Sequence, residues 1–581
     1  MNNKIFKRVY ELAKPHLIKI VIVVIISLVI TGLELLNPYL VKTVIDDYLT
    51  LGIYEKGKIT IAMIGILYIF IVILSNFLTF FTNYLTEFIG EKIVFDLRNK
   101  LFKFTQFSNI SFHDKTSSGK LFVRLTSDIE DISALFKDVI TTSIKDIITI
   151  IAIMGIMIAL NVKLSIVVIL FIPIILLLSY IITNKLNKAY TFSKSIRTRL
   201  NTFLAESIYG IKLIKIFNRQ HEKEKEFEKI SIEYFNSRKP AAFYSGILPG
   251  VMTLFEDLMI SIIVYICTKK IFDVQLEIGT IYIFITYIKN LFNPIGRLVD
   301  NIEVLQDSVV SINKIYEILD KSEYQENIES GKYISNLKGK IEFRNVWFSY
   351  DKKNYVLKDV SFVINPKESI ALVGKTGSGK TTITNLINRF YEIDKGEILI
   401  DGVNIKDINL SSLRKNIGVI LQDPFIFARS VKENIKLNSN ISDKIIDGSI
   451  KLASADKFIN KYSEGSNHLL SERGESLSVG QKQLIAFSRI FAHNPSIFIL
   501  DEATANIDTN TERLIQKSVD IISEEKTSIF IAHRLSTIVN VDKIFVLDKG
   551  KIIETGNHNQ LLKKGGYYSE LYNSYYNSLS S

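Results

Sequence analysis

The chain has 581 residues, more than one hydrophobic core ordinarily holds, so at least two domains are expected. Apolar residues make up 47% and mean hydropathy is positive, an average that a soluble enzyme of this length seldom reaches. The net charge of +11, from 71 basic and 60 acidic side chains, suits nucleic acid, an anionic membrane surface or phosphate ligands.

The opening, MNNKIFKRVYELAKPHLIKI, is basic and runs straight into apolar sequence ending in LLNPYL. That run is too long for the core of a cleaved signal peptide, so it reads as an uncleaved anchor after an amphipathic cytoplasmic helix. A spanning helix needs roughly 20 mostly apolar residues. Six stretches qualify: Leu17–Leu40, Ile59–Leu85, Val139–Leu160, Leu164–Ile182, Phe243–Thr268 and Ile278–Leu298. The one cysteine, Cys267, lies in the fifth of them, which excludes an intrachain disulfide, a cysteine-ligated metal cluster and a CxxC redox pair.

Basic residues orient the spans. The long connections carry Lys92, Arg98, Lys100, Lys103, Lys115, Lys120 and Arg124, then Lys185, Lys188, Lys194, Arg197, Arg199, Lys212, Lys215 and Arg219. The short ones carry only Lys56, Lys58, Lys163, Lys269 and Lys270, and Asn161-Val162-Lys163 is little more than a turn. The long connections, the start and everything beyond the sixth span are therefore expected on the cytoplasmic side. Helix-like apolar spacing continues through EKIVFDLRNKLFKFTQF and TFLAESIYGIKLIKIFNRQHEKEKEF, so the spans should extend out of the bilayer as helices. Turns such as SFHDKTSSG would then be held where something can dock on them. Glu34, Glu256, Asp257 and Lys289 fall within spans, where charge should face protein or a watery cavity. Pairing of Glu256 or Asp257 with Lys289 is expected, and the remaining carboxylate would favour cationic cargo.

After Asp320 the chain turns polar, as a linker does, and from Ile341 the pattern is soluble α/β. IEFRNVWFSY and VLKDVSFVIN alternate like half-exposed antiparallel strands. SIALV, IGVIL, SIFIL and TSIFIA are continuous apolar runs that suit a parallel sheet buried on both faces. Directly after SIALV, Gly374 to Thr381 fits G-x-x-x-x-G-K-[ST] and opens a helix with Ile383, Leu386, Ile387 and Phe390 on one face. Strand, glycine loop and helix make a phosphate cradle: glycines let backbone N–H groups turn inward, and the helix start adds partial positive charge. Lys380 would reach the β/γ phosphates and the Thr381 hydroxyl would ligate Mg²⁺. The other runs end in Gln422, Asp501-Glu502 and His533, which open-sheet topology sends to the same side as the loop. Asp501 suits a water-mediated Mg²⁺ contact and Glu502 suits activation of the attacking water. LSVGQKQLIAFSRI, from Leu477 to Ile490, adds a second glycine turn at a helix start, a further anion site.

These residues resemble an ABC exporter half-transporter over essentially the whole chain. GKTGSGKT is similar to its Walker A motif, Ile499 to Glu502 to Walker B, and Leu477 to Gln481 to its signature. Gln422 falls at the Q-loop glutamine, His533 at the switch histidine, Tyr350 at the adenine-stacking aromatic, and Ala505-Asn506-Ile507-Asp508 at the D-loop. Val479 replaces the usual third-position glycine of the signature, and Asn506 a common serine. The resemblance implies a membrane helical bundle followed by an α/β P-loop NTPase domain with antiparallel β and helical subdomains. The expected division is a transmembrane domain at 1–320, a linker at 321–340 and a nucleotide-binding domain at 341–581.

The resemblance also implies the ligand set. Tyr350, Gly374, Thr376, Gly377, Ser378, Gly379, Lys380, Thr381, Thr382, Ser478, Gly480, Gln481 and Asp501 would bind ATP, with Thr381, Gln422 and Asp501 on Mg²⁺. Glu502, His533 and Gln422 would serve catalysis. The signature of one subunit would close over the Walker A loop of another, identical or sister, subunit. The expected activity is ATP-driven export of a small amphipathic drug, lipid or peptide across the cell membrane, contacting lipid but no nucleic acid. An ATP-gated channel or a regulatory subunit is the alternative.

Overall fold

A computed structural model describes residues 3–50, 55–56, 59–268, 277–321, 326–501, 508–531 and 538–580. The chain divides into two compact units, Met1–Gln106 with Thr116–Ser322, and Phe107–Lys115 with Glu323–Ser581. Within the first unit, runs rich in Ile and Val become helices despite their β-branching. In a hydrocarbon setting each segment has to satisfy its own backbone, and only a helix does so locally. Five helical stretches are long and apolar enough to cross a membrane: Lys4–Thr50, Ile61–Gln106, Ser118–Leu160, Val162–Tyr209 and Gln220–Thr268. Their outer faces are apolar and open, as at Ile18, Phe70 and Leu177.

The sixth expected span lies in the helix Ile278–Leu319, which does not reach the same hydropathy standard. Lys289, Arg297 and Asp300 interrupt it, and its apolar residues are turned to the interior of the bundle: Ile283, Phe284, Tyr287, Ile288 and Leu291 are fully buried. The Tyr287 hydroxyl donates to the Leu35 carbonyl at 2.8 Å, tying this central helix to the first. The extension of spans into long helices is realised: at 46, 48 and 49 residues, the second, fourth and fifth are about 70 Å long, against about 30 Å of hydrocarbon. Asn161 alone separates Leu160 from the next helix, and its side chain accepts from the Leu164 N–H at 3.1 Å as an N-cap. The helix Ile211–Ile216 closes the hairpin of the fourth and fifth long helices.

The intramembrane charges meet the sequence expectation only in part. Lys289 attracts Glu256 electrostatically, but no ion pair within 4.0 Å joins it to Glu256 or Asp257; close pairs form instead between Arg297 and Asp146 and between Lys145 and Glu34. Asp257 and Lys289 both stand on exposed positions, while the buried face of Ile278–Leu319 is apolar at the neighbouring positions.

In the second unit the strands are β1 Ile341–Phe348, β2 Leu357–Ile364, β3 Ser369–Val373, β4 Lys395–Ile400, β5 Val403–Asn404, β6 Ile417–Ile420, β7 Ile497–Asp501, β8 Thr527–Ile531, β9 Lys543–Asp548 and β10 Lys551–Gly556. One sheet runs β2-β1-β4-β5, antiparallel throughout, and the other β10-β9-β3-β8-β7-β6, parallel except for β10. Alternation explains why the parallel strands are apolar without a break. Ile370, Leu372, Ile497, Ile499, Ile529 and Ile531 enter the core shared with β1 and β2, whereas Ala371, Phe498, Leu500 and Phe530 enter the core under the helices. Phe487, on the helix Val479–His493, is fully buried in the latter core, its ring centroid 6.2 Å from that of Phe498.

Phe487→Ala should lower the stability of this unit by about 3–5 kcal/mol, the cost of a cavity of that size. Thermal denaturation of the purified chain, followed with and without ATP, reads it. A melting midpoint unchanged in both conditions would contradict the packing described.

Candidate functional site

The residues Gly374–Gly379 leave the carboxyl end of β3 and close on the helix Lys380–Ile387. Gly377 and Gly379 have φ of +80° and +107°, values that disfavour any side chain. Space is a second constraint: a Cβ on Gly374 would lie 2.2 Å from the Leu547 carbonyl oxygen, and one on Gly379 2.6 Å from the Leu357 side chain. The loop therefore presents backbone rather than side chains to whatever it holds. Lys380 is buried, and its Nζ donates to the carbonyls of Gly374 at 2.6 Å and Lys375 at 3.1 Å. Neutral carbonyls are weaker partners for an ammonium than the charged oxygens of a phosphate, so these two bonds can give way to an anion. Ser378 Oγ, at the same loop, is buried with no hydrogen-bond partner. Thr376 and Thr381 are exposed, and Thr382 is buried beneath them.

Strand register brings the other polar groups to this edge. Ile531 of β8 lies level with Leu372 of β3 and Asp501 of β7, and Ile420 of β6 level with Leu500. Asp501 thus ends its strand beside the loop, and Gln422, exposed, follows β6 on the same side. Glu502, His533 and Ala505-Asn506-Ile507 lie outside the described residues. Asp508 is described: it N-caps the helix Thr509–Glu525, and the Thr511 backbone N–H, at 2.9 Å, holds its carboxyl below the usual range.

Ser478 begins the helix Val479–His493 with a capping box, accepting from the Gln481 N–H at 3.3 Å while Gln481 Oε1 accepts from the Ser478 N–H at 3.0 Å. Ser478 and Val479 are exposed and Gly480 is buried. The same helix carries a residue that the sequence reading passed over. Gln483 is fully buried, and its Nε2 donates to the carbonyls of Gln422 at 3.0 Å and Leu421 at 3.3 Å. Arg489, two turns on, donates to the carbonyls of Asn434 at 2.8 Å and Phe425 at 2.9 Å; burial pushes its guanidinium down to about 10. The signature helix therefore grips the segment after β6 through two polar side chains, Gln483 fully buried and Arg489 partly so. The signal for Gln483 was a polar residue on the apolar face shared by Leu484 and Phe487.

Tyr350 is 46% exposed, its hydroxyl 3.2 Å from Thr382 Oγ1 and its ring edge-on to Tyr391 at 5.0 Å. Tyr391 in turn donates to the Asp114 carboxylate, and burial together with that carboxylate pushes its phenol up. Asp114 lies on the six-residue helix Ile110–Lys115, which packs in this unit with Phe112 almost fully buried. The Glu326 N–H donates to the Phe107 carbonyl at 2.8 Å, while the Glu326 carboxylate receives both arms of Arg414 at 2.7 and 2.8 Å. An aromatic ring fit for a purine and the turn Phe107–Lys115 are thus two contacts apart.

A family model described as the ABC transporter transmembrane region matches residues 20–295, and one described as ABC transporter matches residues 357–505. A Streptococcus pneumoniae protein named as the ABC transporter ATP-binding protein exp8 is 35% identical over 98% of this chain and 97% of its own length. A Bacillus subtilis protein named as the multidrug export ATP-binding/permease protein YgaD is 31% identical over 98% of this chain and 99% of its own. Among solved structures, a bacterial Atm1-family ABC exporter with ATP bound is similar, with a TM-score of 0.77 and 25% identity over 97% of this chain and 98% of that one.

Tyr391→Phe keeps the ring against Tyr350 and removes the bond to Asp114. ATP affinity should stay within about twofold, while stimulation of hydrolysis by cargo falls by roughly tenfold or more, the worth of one hydrogen bond to a charged group. Nucleotide titration and ATPase assays in lipid check the two values. Stimulation equal to that of the unchanged chain would remove Tyr391 from the coupling path.

Proposed function

The chain belongs to the ABC transporter family, and on that premise we propose how its residues turn ATP hydrolysis into export. It is a multi-pass membrane protein and an ATPase coupled to transport, with the family's transmembrane region and its ATP-binding domain in one polypeptide. The observation that carries the residue-level reading is the common carboxyl edge at which β3, β6, β7 and β8 deliver the glycine loop, Gln422 and Asp501.

ATP binds with its β and γ phosphates in the loop Gly374–Gly379, where Lys380 exchanges its backbone carbonyls for phosphate oxygens and the adenine stacks on Tyr350. Thr376, Gly377, Ser378, Thr381 and Thr382 complete the cradle. Thr381, Gln422 and Asp501 offer hard oxygen donors of the kind Mg²⁺ takes, and the ion, when bound with ATP, neutralises charge on the phosphate oxygens. Glu502, next in sequence after Asp501, accepts the proton of the attacking water, and His533 orients the γ phosphate.

Ser478, Gly480 and Gln481 close over the cradle of a second subunit: the capping box fixes the helix start, Ser478 and Val479 stand exposed at it, and its partial positive charge favours an anion. An identical or sister chain supplies the partner cradle. The hairpin tip around Ile211–Ile216 fits the same dimer: Tyr209, Leu213, Ile216 and Phe217 are 90%, 63%, 77% and 64% exposed, a contiguous apolar surface suited to a protein partner. The concentration of lysine and arginine in the long connections argues for the cell membrane with the ATP-binding unit on the cytoplasmic side. Cargo is a small amphipathic compound, in keeping with relatives named for multidrug export.

Glu502→Gln should retain ATP and lose hydrolysis by more than about a hundredfold, the usual worth of a general base. The same variant should accumulate as an ATP-dependent dimer, read by mass photometry in detergent. Hydrolysis within twofold of the unchanged chain would remove Glu502 from the role of base. A monomer at saturating ATP would remove the shared site.

A further inference from the structure

Charge inside a membrane domain is costly, and where it persists it faces protein or a watery cavity. A cavity of about 470 Å³ opens in the first unit between the helices Leu17–Thr43, Thr141–Leu160 and Ile278–Leu319, a volume suited to a drug-sized ligand. Two ion pairs meet at its wall, and they are held very differently. Arg297 is forked onto Asp146 at 2.5, 3.1 and 3.2 Å, with Asp146 only 1% exposed, so that pair is committed to the fold. Lys145 and Glu34 stand 3.7 Å apart, with side chains 28% and 47% exposed and no hydrogen bond between them. Both line the cavity.

A third group is also unsatisfied. Asn37, one turn beyond Glu34 on the same helix, lines the cavity too, and its Oδ1 is buried with no hydrogen-bond partner. A buried acceptor left open costs free energy that a ligand N–H would recover. Glu256 and Asp257 do not border this space. With Arg297 already compensated by Asp146, the adjustable charge is one ammonium and one carboxylate side by side. A ligand bearing a single charge would satisfy one of them and compete with its partner for it. A head group with both charges on one carbon matches both.

We propose, building on the export reading above, that this cavity is a cargo site for amphipathic zwitterions with an α-amino-acid head and an apolar tail. The carboxylate of the head lies on Lys145, its ammonium on Glu34, and one of its N–H donors reaches Asn37 Oδ1. Thr31 and Thr149, whose hydroxyl oxygens are 3.3 Å apart, extend the polar wall beside the head.

The test uses the chain purified from its native membrane with any accompanying subunit, reconstituted in vesicles. The probes are 2-aminododecanoic acid, its N-acetyl derivative and its carboxamide, which share one tail and carry a zwitterionic, an anionic and a cationic head. The zwitterion should stimulate hydrolysis at about tenfold lower concentration than either derivative, the effect of one charge-assisted contact. Glu34→Gln should erase its advantage over the N-acetyl compound, and Lys145→Gln its advantage over the carboxamide. Should a single variant fail to fold, the exchanged pair Glu34→Lys with Lys145→Glu keeps both charges and should keep the preference. Equal potency of the three probes on the unchanged chain, or a preference that survives Glu34→Gln, would overturn the site while ATP-driven export stood. A reconstituted chain that hydrolyses no ATP would overturn the export reading beneath it as well.

Discussion

Lys380 keeps its ammonium on the carbonyl oxygens of Gly374 and Lys375, with only 5% of the residue exposed, and the second unit is arranged around that constraint. A buried ammonium has to be hydrogen-bonded, and a loop of backbone carbonyls can hold it only while no Cβ intrudes. The left-handed turn at Gly379 and the close approach of Leu547 at Gly374 follow from this. The loop itself sits at the end of a strand buried on both faces. An anion entering here would meet the lysine's charge together with the backbone N–H groups of the helix start.

Two polar links lead out of the cradle. One runs from Tyr350 through Tyr391 to Asp114, and so from the aromatic beside the cradle to the turn Phe107–Lys115. The other runs from the capped helix start at Ser478 through Gln483 to the backbone of Leu421 and Gln422. The second passes through a side chain with little room to relax, since Gln483 is fully buried, and the first ends on a turn anchored by Phe112, which is almost fully buried. Well-packed interiors shift between discrete arrangements rather than deforming smoothly, which is what a coupled ATPase needs. The membrane unit has the opposite character: its committed pair, Arg297 with Asp146, fixes the bundle, while the loose pair, Lys145 with Glu34, faces a cavity.

Most of the cradle was legible because its physics is local. Glycine spacing, the strand before it and the helix after it are all encoded within about twenty residues, and strand ends in an open parallel sheet share one edge by topology. The long helices were legible for a similar reason, since apolar spacing simply continues past the bilayer. What the sequence hid depends on contacts between distant segments. The central helix Ile278–Leu319 reads as an ordinary span, yet it is the least apolar of the six and the most enclosed. The pairing of Glu256 or Asp257 with Lys289 was argued from depth in the membrane, but depth does not fix which helix faces meet. Gln483 and Tyr391 look like routine members of helices and loops until Leu421, Gln422 and Asp114 are brought against them.

The central claim is that hydrolysis at the loop Gly374–Gly379 is spent on moving cargo outward. Inside-out vesicles from cells that make the chain test it most directly, by following accumulation of a labelled amphipathic compound with ATP, with a non-hydrolysable analogue, and with ATP plus vanadate. Accumulation against a concentration gradient with ATP alone is the predicted result. Equilibration that any of the three conditions supports, stopping when the concentrations match, would contradict the account and make the chain a gated pathway.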